Sequence, residues 1–344
     1  MKTCSQCQAT YPEDVADCPT DGLPLLEVDA WPDGTMVKGG YRIVCRLSQD
    51  LVCVLYKAVH LKSNRICTLK VMSQDMSGYP GFVRLFRENA RQQKKLHHPN
   101  VARVEKFDHT EYGIPFMVME YVEGLSLRAV IDEHAPLPPL RVCAIARQVA
   151  AGLAASHARG IVQRDLTPES IFLIPDAGDE RIKIVNLGIP TLQQALLGDR
   201  FGTSPETVIG TLQYLSPEQA LGQFGDQLDG RSDLYALGVI MYQMLTRELP
   251  FQATCAADWI MSHISENPIP IRVVYADLAV PDLLTNLVLR CLEKNREARP
   301  ASARDLVREL ACVENEIQRA QQARLDSRRG RAYHKPPGWY FWKR

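Results

Sequence analysis

The ten residues Gln163-Arg164-Asp165-Leu166-Thr167-Pro168-Glu169-Ser170-Ile171-Phe172 constrain this chain more than any other stretch. They follow residues 139 to 160, where Val142, Ile145, Ala146, Val149 and Leu153 recur at helical spacing. Such spacing buries one stripe of a helix. They lead into a short strand-like run, Arg181 to Val185. An Arg-Asp pair is thus held on a loop between a helix and a strand. With 344 residues and 46% hydrophobic content, the chain can build a substantial core in one large or two ordinary domains. The 40 basic and 40 acidic side chains balance, which argues against a general role on nucleic acid or a membrane surface. No apolar run reaches bilayer length, and Met1-Lys2-Thr3-Cys4 does not open a signal peptide, so a cytoplasmic protein without a transmembrane segment is expected.

The loop is similar to the catalytic loop of protein kinases, H-R-D-L-K-P-x-N. Other stretches match that family in order. Cys67-Thr68-Leu69-Lys70 resembles the V-A-I-K strand, and Phe116 to Gly124 resembles the strand and hinge between the lobes. Gly210-Thr211-Leu212-Gln213-Tyr214-Leu215-Ser216-Pro217-Glu218 resembles G-T-x-x-Y-x-A-P-E, Asp229 to Val239 the next helix start, and Arg299-Pro300 a late arginine motif. The resemblance is to bacterial eukaryotic-like (Hanks-type) serine/threonine protein kinases and covers roughly residues 41 to 312. It implies an α+β, bilobal protein-kinase fold, with a β-rich N-lobe and a helical C-lobe.

The resemblance also implies a site. Lys70 takes the place of the phosphate-contacting lysine, and Asp165 that of the carboxylate that orients the substrate hydroxyl and takes its proton. Leu55, Thr68, Met119, Glu120, Val122 and Phe172 would border the nucleotide, with Met119 as gatekeeper and the backbone of Glu120 and Val122 on the adenine edge. Glu218 with Arg299 would form a buried pair, and Asp233 would brace the catalytic loop.

Many chemical positions depart from the family. Its three loop glycines are Ser48, Asp50 and Cys53, and the strands around them read as an ordinary hairpin. Its helix acid falls on Asn89, which leaves Glu88 about 100° away around the helix. Gln163, Thr167 and Ser170 replace His, Lys and Asn, and Asn186 replaces the Asp of D-F-G. A neutral amide or hydroxyl holds Mg²⁺ poorly compared with a carboxylate. Thr68 and Phe172 add bulk to the roof and floor, which predicts a narrowed or partly filled nucleotide pocket. The expectation is a pseudokinase that serves as a signalling scaffold or regulatory binding module. Its partner would be a protein, for instance an active kinase or its substrate, and not a nucleic acid. On this reading ATP is doubtful and magnesium is argued against. An active serine/threonine kinase with an atypical metal arrangement, and a nucleotide sensor without turnover, stay open. Thr203, Ser204, Thr207 and Thr211 are candidate phosphorylation sites facing Arg164.

The ends carry separate signals. Cys4-Ser5-Gln6-Cys7 and Cys18-Pro19-Thr20-Asp21 have the spacing of a small zinc-ribbon-like module in residues 1–25, with Cys4, Cys7, Cys18 and Asp21 as ligands. A redox Cys-x-x-Cys or a site without metal are the alternatives. Residues 26–40 read as a linker, and 313–344 as a polar helix followed by a basic, aromatic tail. Trp339-Tyr340-Phe341-Trp342 would dock on the chain's own domain, a partner or a membrane.

Overall fold

The computed structural model describes residues 2–3, 10–11, 15, 17–20, 26–27, 31–49, 52–176, 179–185, 187, 212–223, 227–274 and 280–333. Asp50, Asn186, the activation-segment hydroxyls, Cys4, Cys7, Asp21 and the aromatic tail lie outside them. Near the N-terminus β1 (Lys2–Thr3) pairs antiparallel with β2 (Thr10–Tyr11) and β3 (Leu26–Glu27). Cys18 is buried.

The N-lobe is a six-stranded sheet in the order β4-β5-β6-β7-β9-β8. Its strands are β4 (Met36–Val37), β5 (Tyr41–Gln49), β6 (Cys53–His60), β7 (Arg65–Met72), β8 (Val104–His109) and β9 (Pro115–Glu120). Side chains alternate across it. Tyr41, Ile43, Tyr56, Ala58, Cys67, Leu69 and Phe116 form a core on one face. The other face meets α1 (Gln74–Ser77) and α2 (Pro80–Lys94) through Met72, Met76, Phe86 and Ala90.

The segment expected to be a linker belongs in part to this lobe. Met36 and Val37 pair with Arg42 and Tyr41, which makes β4 the sheet edge. Trp31 stacks on Tyr56 at 5.6 Å, and the Trp31 backbone N–H donates to the Tyr56 hydroxyl at 2.8 Å. A large aromatic surface needs cover, and Tyr56 finds it here.

The C-lobe begins with β10 (Leu125–Ser126), α3 (Leu127–His134) and α4 (Pro139–His157). Ser126 caps α3 by accepting the Ala129 N–H. After the loop of interest come β11 (Ile171–Asp176) and β12 (Asp179–Ile184), then α5 (Pro217–Ala220), α6 (Arg231–Thr246), α7 (Ala256–Ser265), α8 (Ile271–Val274), α9 (Asp282–Cys291) and α10 (Ala303–Tyr333). Every residue of α6 from Ser232 to Thr246 is buried, so it is the central post of the lobe. α10 packs on α4 through Leu306, Leu310, Val313 and Ile317, and Arg147 meets Glu314 at 2.7 Å. The packed domain therefore runs past the boundary expected at residue 312.

Two features of this core give testable outcomes. A Cβ built on Gly238 of α6 would lie 2.7 Å from the Cys291 Cβ of α9. Gly238→Ala is expected to cost about 1–3 kcal/mol through overpacking, read as a lower urea midpoint.

His263 sits among Tyr235, Phe251 and Trp259, and its Nδ1 lies 2.9 Å from the Tyr235 hydroxyl. Burial, with Lys294 nearby, pushes its pKa down to about 3. The folded state keeps the ring neutral while the unfolded chain takes up a proton below about pH 6.5. Stability is therefore expected to fall as pH drops from 6.5 toward 3, by at most about 1.4 kcal/mol per pH unit from this group. Chemical denaturation of the wild type and His263→Gln at pH 7 and pH 5 checks this: the variant should lose less.

Candidate active site between the lobes

The hinge after β9 joins the lobes, and a cavity of about 450 Å³ opens between them. That volume suits a nucleotide-sized ligand. Leu47, Ser48, Leu55 and Thr68 line it from the N-lobe. Met119, Glu120, Tyr121, Val122 and Gly124 line it along the hinge. Asp165, Thr167, Glu169, Ser170 and Phe172 line it from the C-lobe, with Val185 at the back. The bulk expected to narrow or partly fill the pocket does not close it. Thr68 and Phe172 stand on opposite walls and leave the space between them open.

Strand register explains the roof. Thr68 pairs with Lys57 and Met119, and Lys70 pairs with Leu55 and Met117. Thr68 and Lys70 therefore share the face of β7 that looks into the cleft. Lys70 is buried on the same strand, two residues beyond the cavity's roof at Thr68. Glu88 on α2 is exposed and Asn89 is buried. Asn89 Nδ2 donates to the Leu187 carbonyl at 3.3 Å, and Gln93 Nε2 donates to the same carbonyl and to Asn89 Oδ1. An amide pair thus ties α2 to the segment that replaces D-F-G. Gln93 had no signal in the sequence beyond lying one turn after Asn89.

The loop itself is braced from below. Asp233, fully buried at the start of α6, accepts the backbone N–H groups of Gln163 at 2.8 Å and Arg164 at 2.7 Å. Its Oδ2 also lies 2.7 Å from His157 Nε2. The side chain at position 163 takes no part in these backbone bonds, so they survive the change from His to Gln. Gln163 Nε2 instead donates to the Asp165 carbonyl at 3.3 Å. Arg164 adopts φ 65°, a left-handed conformation uncommon for a residue with a side chain. The Gln219 amide donates to the Arg164 carbonyl at 2.8 Å and fixes the turn.

At the metal positions the chemistry is thin. Ser170 Oγ donates to the Thr167 carbonyl at 2.8 Å and accepts the Thr167 N–H at 3.2 Å. Its hydroxyl is spent on its own loop. Glu169 is held by Arg128 at 2.7 Å, and Arg128 also donates to the Tyr214 hydroxyl. Burial pushes the Tyr214 phenol well above its ordinary range, so it stays neutral and donates to Gln243 at 2.8 Å. Among the described residues no group of three His, Cys, Asp or Glu could hold a metal ion.

The scaffold residues are brought together. Arg299 makes a two-pronged contact with Glu218, at 2.8 and 2.9 Å, and Ser232 donates to Glu218 at 2.6 Å. Gly124 was not singled out in the sequence. A Cβ there would lie 2.3 Å from the Leu173 carbonyl oxygen, so the hinge can approach β11 only with glycine at this position.

Among the described residues, no helix is long and apolar enough to cross a membrane. The protein kinase domain family model matches residues 51–310. The serine/threonine-protein kinase pkn3 of Myxococcus xanthus is 34% identical over 291 residues, covering 84% of this chain and 53% of that protein. PknB of Mycobacterium leprae is 33% identical over 262 residues, covering 75% of this chain and 40% of that protein. The chain thus spans about half, or less, of these relatives. The crystal structure of the Mycobacterium tuberculosis PknI kinase domain is similar with a TM-score of 0.61 and 25% identity, covering 82% of this chain and 99% of that one. With the bilobal fold, the braced Arg-Asp loop and these relatives in view, the chain belongs to the protein kinase domain family, with bacterial serine/threonine kinases of the Hanks type as its relatives.

Proposed function

We propose that the chain binds an adenine nucleotide between its lobes and transfers phosphate slowly from ATP to serine or threonine hydroxyls of proteins. The open cavity of about 450 Å³, lined by the hinge above and Asp165 below, carries this reading. The names of the relatives, serine/threonine-protein kinases, point the same way. In the transfer the hydroxyl oxygen bonds to the γ-phosphorus, Asp165 takes the hydroxyl proton, and ADP leaves. Slow turnover follows from charge. Phosphoryl transfer depends on positioning and on neutralising developing charge. Thr167 supplies no cation, Ser170 is committed to its loop, and Asn89 offers Lys70 no carboxylate.

Those same losses favour a second reading, a pseudokinase that acts as a scaffold or regulatory module for a protein partner. A nucleotide sensor without turnover is its variant. Thermal unfolding with ATP, with and without Mg²⁺, together with radiolabel transfer, separates them. Slow labelling of a protein acceptor that Asp165→Ala reduces by about 10²–10⁴-fold is the expected result. A thermal shift without labelling would leave the sensor, and no shift would leave the scaffold.

We further propose that the N-terminal module holds zinc through Cys4, Cys7, Cys18 and Asp21, which supplies folding energy that so small a core lacks. Purified chain should carry about one zinc per molecule, and Cys7→Ala should lose it. Metal-free wild type would rule the site out.

A further inference from the structure

Behind the hinge lies a second concave region. Two cavities of about 350 and 370 Å³ share Arg65 and Glu120. Arg65 and Cys67 project from one face of β7, and Thr68 and Lys70 from the other. This region and the interlobe cleft therefore lie on opposite faces of the sheet.

Arg65, Arg103 and Lys183 all line the smaller cavity, with Glu120, His97 and His98. Arg65 and Arg103 belong to the N-lobe, and Lys183 stands on β12 of the C-lobe. The two guanidinium groups converge on Glu105, at 3.1 and 2.7 Å. Each uses one nitrogen there, and their remaining guanidinium N–H groups make no other bond among the described residues. Lys183 meets Glu120 at 2.9 Å. Three basic side chains thus face two carboxylates. His98 Nδ1 accepts the Asn100 N–H at 3.2 Å, which leaves Nε2 as the donor of the neutral ring.

We propose that this rear cavity binds a phosphate monoester, held by Arg103 and Lys183 from the two lobes. Forked guanidinium donors beside an ammonium suit a doubly charged tetrahedral group better than a single carboxylate. The volume exceeds that of bare phosphate, which leaves room for the body of an ester. Burial and the neighbouring Lys183 hold the His98 pKa below its usual range, a field that an arriving anion would relieve.

The ligand would bear on the front cleft. The Glu120 side chain turns back to Lys183 and to the Arg103 N–H at 3.1 Å, while Glu120 also lines the nucleotide cavity. A phosphate that draws Lys183 away from Glu120 shifts the hinge segment that borders the nucleotide. Coupling of this kind is reciprocal.

The test is a titration of the full chain with O-phosphoserine at pH 7.5 and constant ionic strength, followed through the His98 ring signals by NMR. A saturable shift is expected. Arg103→Gln and Lys183→Gln should each weaken binding at least tenfold. Arg319→Gln, an exposed change on α10, should leave it unchanged. Arg103 is half exposed, so its variant keeps the fold even if the Lys183 change does not. A phosphoserine peptide that binds more tightly than the free amino acid would identify a phosphorylated protein as the source, and equal affinity a small phosphate ester. A shift reproduced by sodium chloride, or an unchanged midpoint in Arg103→Gln, would overturn the site.

Discussion

Arg299→Ala should destabilise the domain by about 3–5 kcal/mol, the cost of leaving a buried carboxylate without its partner. Arg299 and Glu218 are both buried, and the guanidinium bonds both Glu218 oxygens. Arg299 also donates to the carbonyls of Glu293, Arg231 and Lys294. Thermal or urea unfolding measures the loss. The double change Glu218→Leu with Arg299→Met should recover part of it, because no bare charge remains. It cannot recover all, since those three carbonyls and the Ser232 hydroxyl lose their partner. Burial pushes the Glu218 carboxyl up, but the bonds from Arg299 and Ser232 outweigh burial and hold it below its ordinary value. The unfolded chain therefore binds this proton first as pH falls. The contribution is complete above about pH 4.5 and is lost as pH falls through the lower folded value. Arg299→Ala should remove that acid dependence as well.

Asp233→Ala should be nearly as costly. It leaves the Gln163 and Arg164 N–H groups and His157 without their acceptor. An unsatisfied buried group costs about 1–3 kcal/mol, so a total of about 3–5 kcal/mol is expected after relaxation. Asp233→Asn retains one acceptor oxygen and should lie between. Hydrogen exchange distinguishes this from general loosening: amides 163 and 164 should lose protection before those in the middle of α6. If both amides stay as protected as in the wild type, the brace is not what holds the loop. Nucleotide binding should weaken with the loop, because Asp165 and Thr167 line the cleft just beyond it.

The frame of this protein is legible in its sequence because frame residues need particular partners. Glu218, Asp233 and Arg299 each make several buried bonds to particular partners. What the pocket looks like was less legible. Thr68 and Phe172 read as obstruction, but bulk on opposing walls says nothing about the distance between the walls. The change at Gln163 read as a loss, but the brace runs through backbone N–H groups, and these are invisible to side-chain identity. The tie from α2 to Leu187 was hidden for a related reason. Two amides one turn apart make a carbonyl clamp only when the helix is docked. Residues 26–40 read as a linker, while Trp31 was the informative one. A tryptophan in a polar stretch needs a surface, and Tyr56 supplied it.

That stack reaches into the working part of the molecule. The strand bearing Tyr56 also bears Leu55, whose side chain looks the other way, into the cleft. A force on the segment that carries Trp31 would therefore be felt one residue away from a side chain that lines the pocket. Anything that lifts Trp31 off Tyr56 would thus act on the ceiling of the pocket without touching the hinge.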